Sequence, residues 1–163
     1  MSQLNGNEVA IIGMSGRFPG APDLAAFWQN LCHGQESITY FDDATLRANG
    51  VAEKQLADRD YVRSGFCLDG ISQFDAEFFQ LTPREAQILD PQQRLFLECC
   101  WHALLHAGHV PERYDGRIGV YAGAFSSSYL SNIYSQPGLI ASLGEMAVRH
   151  RNEKAYLTTR LPV

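Results

Sequence analysis

Two tetrapeptides, Thr82-Pro83-Arg84-Glu85 and Asp90-Pro91-Gln92-Gln93, constrain this chain more than any other feature in it. Each combines a helix-capping side chain, a proline at the first helical position and a polar side chain three residues after the cap, so each starts a helix. The second opens the apolar run from Leu95 to Ala107, which Gly108 should end ahead of Pro111. A helix this apolar on most of its faces needs cover on most of them, which places it inside a layered domain.

Around that pair the hydrophobic pattern predicts two strands. Val9-Ala10-Ile11-Ile12-Gly13-Met14 is a short β-branched run closed by Gly16 and Pro19-Gly20, the pattern of a buried central strand. Ile118-Gly119-Val120-Tyr121-Ala122-Gly123 is a second, entered from a turn at Asp115-Gly116 and left through a serine bend at Ser126 to Ser128. From Asp23, the apolar residues Leu24, Phe27, Trp28 and Leu31 recur at helical spacing and Gly34 follows as a left-handed terminus. That spacing predicts an amphipathic helix laid on the first strand. Residues 42 to 64 carry clustered charge and predict short surface helices, a loop leading to Tyr61 and Val62, and no chemistry. Pro137 onward reads as helix to about Arg149, and Asn152 is placed to cap a last short helix containing Tyr156 and Leu157. The order strand, helix, helix, strand, helix is that of an α/β layered architecture. Nothing between Glu8 and Arg160 reads as a repeat or a flexible linker.

Composition narrows the function classes. With 163 residues, 45% hydrophobic and 19% charged, the chain suits one compact domain. Thirteen Lys and Arg against eighteen Asp and Glu give a net charge of -5 without a basic block, which argues against nucleic-acid binding. Met1 to Glu8 lacks the charged and apolar regions of a signal peptide, and no apolar run approaches the roughly 18 residues of a membrane span. Four cysteines, with Cys99 and Cys100 adjacent, make no disulfide framework and fit a reducing, cytoplasmic setting.

Each candidate for chemistry has a plainer explanation. Gly13, Gly16 and Gly20 miss the spacing that brings a backbone up to a pyrophosphate, so a tight strand-to-helix turn accounts for them better. Ser126, Ser127 and Ser128 lack a Gly-x-Ser-x-Gly frame and are expected to satisfy local backbone groups. Cys99, His102 and His106 share a helical face at zinc-ligand spacing. With no fourth ligand or acidic neighbour on that face, packing or hydrogen bonding along a buried helix is the better account. His33, His109 and His150 read as surface or loop histidines, and Cys32 and Cys67 as small buried hydrophobes.

Taken together, the motifs resemble the N-terminal half of the β-ketoacyl synthase domain of modular type I polyketide synthases. The resemblance rests on Glu8 to Gly20 with Gly16-Arg17-Phe18-Pro19-Gly20, on Phe27-Trp28, and on Phe74-Asp75-Ala76-Glu77-Phe78-Phe79. It continues through Thr82-Pro83-Arg84-Glu85-Ala86, Asp90-Pro91-Gln92-Gln93-Arg94, Ile118 to Gly123, and Asn152-Glu153-Lys154-Ala155-Tyr156-Leu157. These stretches stand in the family's order over nearly the whole chain.

The resemblance implies a thiolase-like α/β fold, layered αβαβα in the complete domain, of which this is the N-terminal portion. It also implies decarboxylative condensation of an acyl thioester with a malonyl-type extender. The carrier of both would be the phosphopantetheine of an acyl carrier protein, with no cofactor bound by the chain itself. Partners implied are that carrier protein and the remaining synthase domains, with the complete domain a homodimer. Residues 1–7 then form a polar tail and residues 8–163 a partial ketosynthase domain. The family's nucleophile stands in a Thr-Ala-Cys-Ser motif beyond the helix of Tyr156, and its two histidines lie further on. None of Cys32, Cys67, Cys99 and Cys100 stands in that motif, and His102, His106 and His109 do not match the histidines. No catalytic, cofactor-binding or metal-binding residue is therefore assigned. The ending Leu161-Pro162-Val163 departs from the family, as a truncation, frame disruption or split synthase would produce, and the chain alone is expected to be inactive. The alternative is a non-catalytic docking or assembly module that pairs with a separately encoded second half or a partner synthase. Either way apolar surface is expected to lie uncovered, forfeiting roughly 1.5–3 kcal/mol for each large side chain.

Overall fold

The computed structural model describes residues 6–110, 113–153 and 156–160. They fall into two compact units, Gly16–Asp69 and a larger one formed by Met1–Ser15 with Gly70–Val163.

In the smaller unit, Phe18 and Ala21 exchange backbone hydrogen bonds of 2.8 and 2.9 Å around Pro19-Gly20. Gly20 takes a φ of +68°, the left-handed value that the third position of a type II turn demands. Helix α1 (Leu24–His33) begins where the side chain of Asp23 accepts the Ala26 N–H at 2.8 Å. It ends where Gly34, at φ 63° and ψ 30°, turns its N–H back onto the carbonyls of Asn30 and Leu31. Both ends lie where the sequence puts them. The apolar stripe between them is another matter: Phe27 stacks on Phe18 with centroids 4.0 Å apart, but Trp28 and Leu31 are exposed. Short helices α2 (Asp43–Ala48) and α3 (Glu53–Leu56) occupy the charged stretch as expected. Thr45 hydrogen-bonds to the capping Asp42 and holds that carboxyl below its ordinary range. An antiparallel pair, β1 (Thr39–Tyr40) with β2 (Ser64–Gly65), has no counterpart in the sequence reading, since two residues are too few to display an alternation.

In the larger unit, α4 (Pro83–Ile88) opens with a complete capping box. Thr82 Oγ1 accepts the Glu85 N–H at 3.2 Å and Glu85 Oε2 accepts the Thr82 N–H at 2.8 Å. Helix α5 (Pro91–His106) starts on Asp90, whose Oδ1 accepts the Gln92 N–H at 2.8 Å, and Gly108 follows it at φ +75°. Helices α6 (Tyr129–Tyr134), α7 (Pro137–Leu143) and α8 (Glu145–Asn152) come next, then a 3-10 turn over Thr158–Arg160. Ile88, Ile133 and Val148 form a core under α4, α6 and α8, with Tyr129, Leu139 and Leu143 packed against it.

Four expectations are corrected. Residues 9–14 and 118–123 are not strands: among the described residues the only ladder is β1 with β2, and Val9 and Tyr121 are 92% and 96% exposed. An apolar β-branched run has the propensity for a strand, but its N–H and C=O groups need a strand alongside, and among the described residues neither run is paired with one. Helix α5 is not enclosed, since Gln93, Arg94 and Leu97 are its buried residues. One helix from Pro137 to Arg149 becomes two, because Gly144 at φ +81° breaks the ladder. Asn152 ends α8 rather than capping a later helix: its Nδ2 donates to the carbonyls of Ile88 and Val148, each at 2.8 Å. The expectations that touch Pro111, Lys154, Ala155 and Leu161 to Val163 lie outside the described residues.

Glu85 also pairs with Arg151 of α8. The Thr82 N–H, then the Thr82 hydroxyl and, more weakly, Arg151 hold its carboxyl below the usual 4.5. A depressed carboxyl stabilises the fold while ionised, so its contribution is full above 4.5 and is lost as pH falls through the lower folded-state value. Glu85→Ala is expected to lower stability by about 1–2 kcal/mol near neutral pH, because cap and ion pair go together. Urea titrations across the acid range should show the gap between the two proteins narrowing as pH falls.

Candidate functional site

The polar face at the start of α5 is the most unusual environment in the larger unit. Proline at the first position and the Asp90 cap fix the first turn, and this turns Gln93 and Arg94 inward instead of apolar residues. Asp90, Gln93 and Arg94 are 8%, 3% and 8% exposed. Gln92 clasps the extended chain opposite: its Oε1 accepts the Phe125 N–H at 3.2 Å and its Nε2 donates to the Phe125 carbonyl at 3.4 Å. Asn152 arrives from the end of α8. Between them lies a cleft of about 190 Å³ lined by Asp90, Gln92, Gln93, Phe125, Ser127 and Asn152, among others. Gln93 Oε1, Arg94 Nε and Asn152 Oδ1 are buried in the packing around this helix start without a hydrogen-bond partner. The far end of α5 meets the first apolar run, where the Met14 N–H donates to His106 Nδ1 at 2.9 Å.

Gly13 is required by closeness to α5, with Ala103 and Ala107 against it, and Gly20 by the turn. Ser127 Oγ accepts the Tyr129 N–H at 3.0 Å, the local backbone role expected of the serines. His102 and His106 are exposed and Cys99 half-buried, so the helix that carries them is not a buried one. Among the described residues no three His, Cys, Asp or Glu side chains are grouped to hold a metal. His33 and His150 are exposed, and His109 sits edge-on to Tyr114 at 5.0 Å.

Cys32 and Cys67 are exposed, not buried, because α1 and the chain after β2 present them to solvent. Burial, and secondarily Cys99, push the Cys100 thiol up to about 11, far from the thiolate a nucleophile needs. Iodoacetamide at about pH 8 should label Cys100 roughly 100-fold more slowly than an ordinary thiol of pKa about 8.5. Peptide mapping of a time course checks this, with Cys32 and Cys67 expected first.

Sequence reasoning missed the Gln92 clasp, which joins residues far apart in the chain and leaves no local pattern. The buried Gln93 and Arg94 carried a usable signal, as polar residues directly after a cap and ahead of an apolar run.

The residues around these helix starts define a condensing-enzyme domain. The chain belongs to the β-ketoacyl synthase family, whose N-terminal domain model matches residues 6–160. Within that family it is the N-terminal part of a ketosynthase of the polyketide-synthase kind, and its α/β fold is thiolase-like. It is 48% identical over 162 residues to a phenolphthiocerol/phthiocerol polyketide synthase of Mycobacterium tuberculosis, covering 95% of this chain and 11% of that protein. Polyketide synthase PksN of Bacillus subtilis is 42% identical over 123 residues, 76% of this chain and 2% of that protein. Among solved structures, ketosynthase twelve of the Bacillus amyloliquefaciens bacillaene polyketide synthase matches with a TM-score of 0.52 and 40% identity. That match covers 58% of this chain and 17% of that one. No helix among the described residues is long and apolar enough to cross a membrane.

Proposed function

We propose that this polypeptide supplies the opening half of a condensing domain, with residues 1–7 as a tail and 8–163 as a partial ketosynthase that does not turn over alone. The observation that carries this reading is the family match over residues 6–160 in a chain whose four cysteines all stand outside the nucleophile's motif. In the whole domain a cysteine thiolate would attack the acyl thioester and release the carrier's phosphopantetheine thiol. Loss of carbon dioxide from a malonyl-type extender would then give the carbanion that attacks the acyl-enzyme and expels the cysteine. The partners in this reading are an acyl carrier protein, the remaining synthase domains and a second copy of the complete domain, in a reducing cytoplasm. This chain's share is scaffold and pocket wall. Its raised Cys100 thiol is unsuited to the nucleophile's role.

Purified chain mixed with acyl-loaded and malonyl-loaded carrier proteins is expected to yield no β-ketoacyl product by mass spectrometry. Product from the chain alone overturns the reading.

A second reading, a docking module for a separately encoded half, is favoured by one observation. Val9, Ile11, Ile12 and Met14, with Tyr121 and Phe125, are all exposed in the larger unit. Size-exclusion chromatography with the complementary half should give a co-eluting complex if this is the chain's role. An unchanged monomer peak counts against it.

A further inference from the structure

We propose that His106 is a proton-operated latch for the first apolar run: neutral, it holds residues 9–14 against the last turn of α5, and protonated, it lets them go. The contact is a hydrogen bond in which the Met14 N–H donates to His106 Nδ1 at 2.9 Å. Nδ1 can accept only with its lone pair free, so the bound imidazole is neutral and carries its proton on Nε2. A proton added at Nδ1 sets N–H against N–H, and the acceptor is gone. Among the described residues no ladder stands in for it, because residues 9–14 belong to no strand. Gly13 lets the run come close enough for the bond, since a side chain there would run into the backbone of Ala103 and Ala107.

The protonated ring has another arrangement open to it. His106 is the last residue of α5, where a cation meets the negative end of the helix and its N–H groups can reach the final carbonyls. It is exposed, so a proton reaches it without unfolding. The latched state excludes a proton from Nδ1 and the open state takes one up, so falling pH favours opening. The titratable groups nearest to it along α5 are His102, one turn earlier, and Cys99, while Val9 to Met14 bring none. Glu8, which precedes the run, accepts the Gly6 N–H at 2.9 Å, and His109, beyond the helix, lies edge-on to Tyr114. What opening frees is a β-branched segment with Val9, Ile11 and Ile12 exposed, able to pair with a strand from elsewhere.

The test is the protection factor of the Met14 amide in the full chain, measured by hydrogen exchange from about pH 8 to about pH 5.5, the range in which imidazole changes charge. A protection factor already removes the intrinsic pH dependence of exchange. A fall of about 3- to 10-fold as the pH drops, the loss expected for one ordinary hydrogen bond, is the expected result. His106→Asn keeps an acceptor oxygen close to the position of Nδ1 but does not titrate, so its protection should stay level over the same range. His102→Asn, which removes the neighbouring imidazole, should keep the wild-type fall. Level protection in the wild type, an equal fall in His106→Asn, or loss of the fall in His102→Asn overturns the latch. Proton–nitrogen correlation spectra of the histidine rings give an independent reading. At about pH 8 the His106 proton should sit on Nε2, and a proton on Nδ1 there overturns the assignment.

Discussion

Ile88→Ala is expected to destabilise the larger unit by about 3–4 kcal/mol, within the usual range for truncating a fully buried branched side chain. Ile88 is 1% exposed and packs with Ile133 and Val148, so a single side chain joins α4, α6 and α8. Its carbonyl also receives the Asn152 amide, at 2.8 Å, which ties the backbone at this point to the end of α8. Three helices held by one residue cannot close the cavity without each moving, and the cavity penalty therefore persists. Against a total stability of about 5–15 kcal/mol for an ordinary domain, that loss is a large fraction. Urea unfolding monitored by helical circular dichroism checks it, with Leu31→Ala as the contrast. Leu31 is 57% exposed and its truncation should stay within about 0.5 kcal/mol. A loss below about 1 kcal/mol at Ile88 would mean the three helices do not share this core.

Gly13→Ala is expected to release the first apolar run from α5 and to lower stability by about 1–3 kcal/mol through overpacking. A methyl at Gly13 would overlap the Ala103 carbonyl oxygen and lie 2.9 Å from both the Cβ and the backbone nitrogen of Ala107. These are mostly helix backbone atoms, which cannot swing aside as the end of a long side chain would. The run must lift instead, and the Met14 N–H bond to His106 Nδ1 at 2.9 Å is lost with it. Faster hydrogen exchange at the Met14 amide and earlier proteolysis between residues 9 and 14 are the readouts. Gly123→Ala is the control, since a methyl there meets nothing within 4 Å. Equal exchange rates at Met14 in the wild-type and Gly13→Ala chains would contradict the contact.

The sequence by itself determined what a few consecutive residues can decide. Thr82 and Glu85 cap one another across three positions, Asp23 and Gly34 bound α1, and Pro19-Gly20 turns the chain, because donor and acceptor are neighbours in the sequence and meet whatever surrounds them. The motif series also carried the family, in the order of its landmarks. Only the tertiary structure decided which apolar residues are covered. Residues 9–14 and 118–123 have strand composition without a strand, because a ladder needs a second chain segment alongside and hydropathy cannot supply one. Cys32 lies exposed on a helix whose spacing is correct, although a small apolar side chain suggested burial. Local hydrogen bonds are closed within one turn of backbone, whereas burial depends on the face that arrives from elsewhere in the chain.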